Sequence, residues 1–284
     1  MAATLLDGRA LAAKVRAAVK EEVAELGALR LATVVVGDDP ASHLYIDLKH
    51  KAAKEAGIEP IDHRLPADVP EDELVDFVRG LSDDDEIDAI LPQLPLPGGQ
   101  DEARVIRAVD PAKDVDGFHP LNAGYLYLGR PTLVPATPRG VLALLDEYRI
   151  PLDGARAVVV GRSDIVGKPV SHLLLQRNAT VTICHSHTDD LARQTLDADV
   201  LVVAVGIAGL VDAEMVKQGA AVVDVGQNRT EAGLVGDVDP GVAERAAFLT
   251  PVPGGVGPMT IASLLQNTVL AARFRRGLLA FPGD

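Results

Sequence analysis

Tryptophan is absent from this chain and aromatic residues are only 3% of its 284 residues, so base stacking along a nucleic-acid strand is not a theme of its surface. Cysteine is nearly absent too. Cys184 stands alone, cannot close an internal disulfide, and fits a reducing cytoplasm. Basic residues are outnumbered: a net charge of -14 and a pI near 4.9 exclude the clustered Lys and Arg that a nucleic acid or an anionic membrane would require. Long apolar runs are missing as well. The longest, Val200 to Val211, is too short to span a bilayer, and the first residues lack the basic-then-apolar plan of a signal peptide. Neither a nucleic-acid nor a membrane partner is expected.

What the chain does have is 48% hydrophobic residues, enough for two cores of ordinary domain size. Short β-branched runs alternate with helical patterns. Leu29 to Val36 reads as a strand closed by the turn Gly37-Asp38-Asp39-Pro40, and Ile87 to Leu91 as another. Arg9 to Leu26 is helical in period, with Asp7 placed to cap it. Ser42 to Ala56 is a second helix, with Leu44, Leu48 and Ala52 expected as its apolar ridge and Tyr45 and Lys49 one position round, at the edge of a buried surface. After a connecting helix, Pro138 to Tyr148, the runs Ala157 to Gly161, Ala179 to Cys184, Ala198 to Val205 and Ala220 to Val225 predict a doubly wound parallel sheet. The expected division is 1–137 and 138–261, with a last helix from about 262 to 284 returning to the first domain.

Chemistry gathers at a few places. Ala157 to Pro169 (AVVVGRSDIVGKP) breaks at Gly161 and restarts as a helix near Ile165, a strand-loop-helix able to hold a phosphate on helix N-terminal amides. Its spacing, Gly161, Ser163, Gly167, is not the standard dinucleotide fingerprint and equally fits an ordinary turn. Past the next strand stands His185-Ser186-His187, where an acid would favour a ribose 2′-hydroxyl. With Arg162 nearby, a guanidinium and a hydroxyl are available for a 2′-phosphate, which points to NADP. Cys184, His185 and His187 invite a zinc reading, but ligands crowded at one strand end lack the separated pairs of such sites, so no metal is expected.

In the first half, Lys49 beside a phenol can be partly desolvated and so made available for proton transfer, or it can be a stem under a packed tyrosine. Gln93 is the polar side chain in the proline-stiffened loop Pro92 to Pro97, open to the reading of a binding group or of an exposed amide in a connector. In Lys113-Asp114-Val115-Asp116-Gly117 the two carboxylates face the same way if the segment is extended. One could accept two hydrogen bonds from a planar amino-heterocycle, and Asp-Gly turn chemistry explains the segment as well. Asp83 to Glu86 reads as a solvated acidic loop. Thr250 to Thr260 (TPVPGGVGPMT) offers bare backbone at Gly254, Gly255 and Gly257 to a flat ligand.

Taken in order, VGDDPASHLYIDLK (Val36 to Lys49), LPQLPLP (Leu91 to Pro97), PAKDVDGFHPLNAG (Pro111 to Gly124), GRSDIVGKP, GAAVVDVGQNR (Gly219 to Arg229), LVGDVD and TPVPGGVGPMT closely resemble the bifunctional methylenetetrahydrofolate dehydrogenase/cyclohydrolase family. The resemblance implies an α/β protein with an N-terminal folate-binding domain and a Rossmann-type NADP-binding domain. It implies a cytoplasmic homodimer acting on tetrahydrofolate derivatives. By resemblance Lys49 is the catalytic lysine, Tyr45 its neighbour over the folate ring, Gln93 its partner and Asp116 the pterin-binding carboxylate. Gly161, Arg162, Ser163, Ser186 and Gln227 line NADP, and the stretch from Pro253 through Gly254 and Gly255 to Ile261 lines the folate side. Three positions depart from the family's usual pattern: Ala136 replaces a common Cys, Gln227 an aliphatic residue, and Asp164 brings a carboxylate beside the expected cofactor phosphate. Another two-domain NADP dehydrogenase, such as a shikimate-type enzyme, and a non-catalytic NADP sensor are the alternatives.

If Arg162 and Ser186 select the 2′-phosphate, removing the guanidinium costs on the order of 1.5 to 3 kcal/mol of NADP affinity. Arg162→Ala is expected to weaken NADP binding by about tenfold or more and NAD binding little. Equal losses for the two cofactors in a titration would refute the assignment.

Overall fold

The computed structural model describes residues 3–231 and 233–282. The strands in chain order are β1 (Thr4–Leu5), β2 (Leu29–Val36), β3 (Ile58–Leu65), β4 (Ala89–Pro92), β5 (Arg156–Val160), β6 (Thr180–Cys184), β7 (Val200–Val203), β8 (Ala221–Asp224), β9 (Asn228–Thr230), β10 (Gly233–Val235) and β11 (Phe248–Leu249). The helices are α1 (Gly8–Leu26), α2 (Pro40–Glu55), α3 (Glu71–Asp83), α4 (Glu102–Ala108), α5 (Pro120–Tyr127), α6 (Ala136–Glu147), α7 (Gly167–Gln176), α8 (Leu191–Thr195) and α9 (Val256–Arg275).

Two compact units result. One joins the segment ending at Ala13 to Thr137–Thr260, and the other joins Lys14–Ala136 to the chain from Ile261 onward. The expected assignment of the first residues to the folate-type unit is therefore corrected. Thr4 and Leu5 pair in parallel with Phe248 and Leu249, so β1 completes the edge of the other unit's sheet. A strand's unpaired amides and carbonyls need a ladder partner, and β11 supplies it.

In the unit built on Lys14–Ala136, β2 lies between β3 and β4 in a parallel sheet. Alternate residues of β2 feed two cores. Leu29, Leu31 and Val35 pack with residues of α1, α2 and α9, while Ala32, Val34 and Val36 pack with residues of α3 and α4. Burial on both faces explains why this strand is apolar nearly throughout. The last helix does return to this unit: Leu264, Leu265, Val269, Ala271 and Ala272 of α9 sit in the same core as Leu29 and Ile46.

The face of α2 differs from the expected one. Leu44 and Leu48 are 48% and 44% exposed; Ala52 is buried as expected, and with it the buried side runs through Ser42, Ile46, Ala53 and Ala56. Small side chains at Ala53 and Ala56 let the helix lie close over the sheet, where leucines would overfill the space. Lys49 falls at the edge of that buried side, three residues after Ile46 and four before Ala53.

The other unit is a six-stranded parallel sheet in the order β1-β11-β8-β7-β5-β6, with the hairpin β9-β10 beside it. It is the doubly wound sheet that the sequence predicts, with three local differences. The crossover into β8 is a short 3-10 turn, Ala213–Met215, instead of a helix. Helix α7 starts at Gly167, leaving Ile165 in an exposed turn. The strand ending in the buried Cys184 is an edge strand with outward Thr182 and Ile183.

Asp88, only 2% exposed in its side chain, fastens the end of α9 to the smaller sheet. Its Oδ2 accepts from the Arg30 amide of β2 (2.9 Å), and its Oδ1 accepts from Arg275 Nε (2.8 Å) and Nη2 (2.6 Å). Arg276 also reaches Asp88 and donates to the carbonyls of Leu26 and Ala28 (both 2.6 Å), at the end of α1. Removing the carboxylate strands two guanidinium groups that are mostly withdrawn from water. Asp88→Ala is expected to cost about 2 to 4 kcal/mol in urea unfolding, and a loss below about 0.5 kcal/mol would show that the cluster contributes nothing.

Candidate active site

On α2, Lys49 turns its amine into the unit and donates from Nζ to Gln93 Oε1 at 3.0 Å. Gln93 is held at both ends. Its amide N–H donates to Val34 O (2.8 Å), continuing the β2-β4 ladder, and its side-chain Nε2 donates to Leu94 O (2.7 Å). With Nε2 committed to a carbonyl, Oε1 must face the lysine, which fixes the amide's orientation. Burial pushes the Lys49 amine below its usual value against the attraction of Asp116. One turn earlier, Tyr45 is 41% exposed.

Asp114 and Asp116 do not share a face of an extended segment. Residues 111–116 form turns, with a single bridge at Asp114, and the two carboxylates divide the labour. Asp114 is buried and accepts from the amides of Gly117 (3.1 Å) and His119 (2.7 Å) and from Asn122 Nδ2 (2.9 Å), so it shapes the loop. Asp116 has no hydrogen-bond donor among the described residues. Burial raises it to about 6, opposed by the charge of Lys49 and assisted by that of Asp114. Its backbone is nonetheless fixed, because Asn267 of α9 donates to the carbonyls of Val115 and Val134, each at 2.7 Å.

In the other unit the chain order reverses between β5 and β7, the crevice where open α/β sheets take ligands. Gly161 ends β5 there with φ of +126°, and a Cβ on it would stand 2.3 Å from Ala204 O beyond β7. A Cβ on Gly167 would meet Gly161 O at 2.2 Å. Both glycines are therefore required by the close approach of three backbone segments. Ser163 Oγ accepts from the amides of Val166 (3.2 Å) and Gly167 (3.3 Å), capping α7 and leaving its own proton to donate. Arg162 and Ser186 are exposed. The Asp164 carboxylate is ion-paired with Lys168 one turn on, which offsets the repulsion expected of it. Gln227, Pro253, Gly254 and Gly255 are brought together around a cavity of about 110 Å³, joined by Arg9 and Asp224. The described residues contain no cluster able to hold a metal, and none of their helices is long and apolar enough to cross a membrane.

Residues 6–116 match the catalytic domain, and residues 135–276 the NAD(P)-binding domain, of tetrahydrofolate dehydrogenase/cyclohydrolase. The chain belongs to this family. It is 54% identical over 274 residues to the bifunctional protein FolD of Methanoculleus marisnigri, covering 95% of this chain and 97% of the relative. Among solved structures it is similar to the bifunctional enzyme FolD of Campylobacter jejuni (TM-score 0.95, 46% identity, 96% of this chain and 100% of that one). The Trypanosoma brucei dehydrogenase-cyclohydrolase, solved with NADP cofactor and an inhibitor, has a TM-score of 0.92 at 40% identity, over 99% of this chain and 100% of its own.

The loop-fixing roles of Asn267 and Asp114 escape a reading of the sequence. Asn267 lies in the middle of an apolar helix, where a buried amide far from its carbonyl partners in the chain gives no local pattern. Asp114 could have been separated from Asp116 by its place two residues before the turn glycine's neighbour, in the manner of an Asx cap.

A half-buried carboxylate with no donors costs stability when ionised. Because the shift of Asp116 is upward, from 3.8 to about 6, the folded chain holds its proton more tightly than the unfolded chain, and stability falls as pH rises across that interval. Asp116→Asn is expected to be more stable than the parent by on the order of 1 to 3 kcal/mol at pH 8, with the difference disappearing toward pH 4. A gain independent of pH in chemical denaturation would contradict this account.

Proposed function

We propose that this chain oxidises 5,10-methylenetetrahydrofolate with NADP and hydrolyses the 5,10-methenyl product to 10-formyltetrahydrofolate. The observation that carries the reading is the desolvated Lys49 amine, oriented by Gln93 and electrostatically coupled to an Asp116 carboxylate that has no hydrogen-bond donor among the described residues. A pterin edge is rich in N–H donors, and a donor-free carboxylate is the partner it would find.

The residues at β5 suit a dinucleotide. Gly161 and Gly167 leave the start of α7 bare of side chains, in a space that a Cβ would fill. NADP, when bound, accepts the hydride leaving the methylene carbon. The protein's part in that step is alignment, with Arg162 and Ser186 for the 2′-phosphate and Gly161, Ser163 and Gln227 along the remainder. Pro253, Gly254 and Gly255 offer a flat backbone surface to the folate.

Hydrolysis asks more of the side chains. Water adds to the methenyl cation and loses one proton to give a neutral carbinolamine. As the bond from that carbon to the pterin ring nitrogen breaks, the hydroxyl loses its remaining proton to become the formyl C=O on N10, the ring nitrogen gains one proton, and one proton is released net. Lys49 is suited to take the first proton and return it, since burial lowers its pKa and brings its neutral form within reach. Gln93 keeps hold of the amine in either charge state, because Nζ is the donor in both. Tyr45, exposed on the same helix, is placed to cover the ring. We also assign the chain as a cytoplasmic homodimer. The open edge of β6, with Ile183 42% exposed and Leu175 of α7 58% exposed, supports self-association, and the lone buried Cys184 supports a reducing compartment.

Lys49→Met keeps the stem and removes the amine. Methenyltetrahydrofolate hydrolysis is expected to fall by at least about 100-fold, toward a no-enzyme blank, while NADP binding is retained and some hydride transfer persists. Hydrolysis at the parent rate would remove Lys49 from the mechanism.

A further inference from the structure

Two buried aspartates that the proposed reaction does not use interlock behind the cofactor-facing loops. Asp224 closes β8 in the run Asp224-Val225-Gly226, and Asp237 follows β10 in the run Gly236-Asp237-Val238. Each run's glycine makes room for the other's carboxylate: a Cβ on Gly226 would lie 2.3 Å from Asp237 Oδ1, and one on Gly236 1.7 Å from Asp224 Oδ2. Asp224 Oδ1 accepts from the amides of Gly226 and Asp237, both 2.9 Å, and its Oδ2 from Val238 at 3.0 Å. Asp237 in turn reaches two other loops. Its Oδ2 accepts from the amides of Val205 (2.7 Å) and Gly206 (2.9 Å) after β7, and its Oδ1 from Asn228 Nδ2 (2.8 Å) after β8.

Asp237 is fully buried, so these bonds are not exchanged for water. They tie the chain ends of β7 and β8, neighbours in the sheet, to one carboxylate. Gln227 stands between the two residues held, Gly226 by the packing of Asp237 and Asn228 by the hydrogen bond, and it lines the cavity shared with Pro253 to Gly255. Both loops lie at the carboxyl ends of parallel strands, on the edge where Gly161 opens the crevice. A cofactor ring docked there meets backbone whose position is preset, and the ordering cost is met in folding instead of in binding.

We propose that Asp237 is a positioning residue for NADP, fixing Val205–Gly206 and Gly226–Asn228 as one rigid edge of the cofactor site, and so governs oxidation without governing hydrolysis. This rests on the proposed NADP-dependent reaction. It goes beyond that reading in giving a distinct task to a residue that touches neither substrate nor cofactor.

Asp237→Asn preserves shape, but while its oxygen faces Val205 and Gly206 its amino group must confront the amino group of Asn228. Calorimetric titration is expected to show NADP bound about tenfold or more weaker, because a charge-assisted contact is lost. NADP-free methenyltetrahydrofolate hydrolysis at Lys49 should change by less than about threefold, since the Asp237 carboxylate bonds Val205, Gly206 and Asn228 and makes no hydrogen bond to Lys49, Gln93 or Pro253 to Gly255. Adding Asn228→Asp to that variant restores a donor facing an acceptor and should return most of the affinity. Unchanged NADP affinity in Asp237→Asn, or hydrolysis lost in proportion to it, would overturn the proposal. Should that variant fail to fold, Asn228→Ala breaks only one of the bonds and is expected to weaken NADP severalfold; parent affinity in Asn228→Ala would overturn the proposal equally. A parent chain that binds NADP but turns over no tetrahydrofolate would instead refute the reaction, with the NADP titrations still deciding the role of Asp237.

Discussion

A carboxylate withdrawn from water must be given donors or a counter-charge, and the architecture of both units follows from how that requirement is met. Asp88 is met by two arginines and a backbone amide, Asp114 by two amides and an asparagine, Asp224 by three amides, and Asp237 by two amides and an asparagine. Each of these aspartates converts donors scattered along the chain into one fixed loop or helix end. Asp116 is the exception. Its charge has Lys49 for company and no hydrogen-bond donor among the described residues, which leaves its oxygens free to accept from outside the protein.

The same division separates what the sequence discloses from what it hides. β2, β5, β7 and β8 are buried nearly throughout, and a run of β-branched residues announces them. β3 is an edge strand carrying Glu59, Asp62, His63 and Arg64 with Pro60 inside it, and no apolar period betrays it. Helix α2 misleads in its face, because Leu44 and Leu48 imitate a core ridge while alanines form the true one. Lys49 and Tyr45 are legible as a pair by their spacing, and the sequence's placing of Lys49 at the edge of a buried surface agrees with its intermediate exposure and inward-turned amine.

Chemistry at the sheet ends was legible to a different degree. The glycines of the β5 loop can be read from the residues as a turn, but the reason Gly161 must be glycine lies in Ala204, more than forty positions away, and the reason Gly167 must be glycine lies in the backbone of Gly161. Asp116 and Asp114 look interchangeable in Lys-Asp-Val-Asp-Gly, and only burial and donors distinguish them. Asp224 and Asp237 are further hidden, since their partnership joins two runs across a hairpin and concerns backbone amides that no side-chain pattern reveals.

The pairing of β1 with β11, together with the place of α9 in the core beneath β2, has a consequence for how the chain is made. Neither unit is continuous. The large sheet lacks an edge strand's partner until Phe248 and Leu249 have been synthesised, and the small sheet lacks one of its covering helices until α9 has followed. A ribosome releasing this chain therefore holds the large sheet unfinished until β11 has emerged and the small one until α9 has, with apolar faces waiting and many long-range contacts closing late. Cutting the chain between Ala136 and Thr137 yields two fragments that each carry a piece of the other's fold.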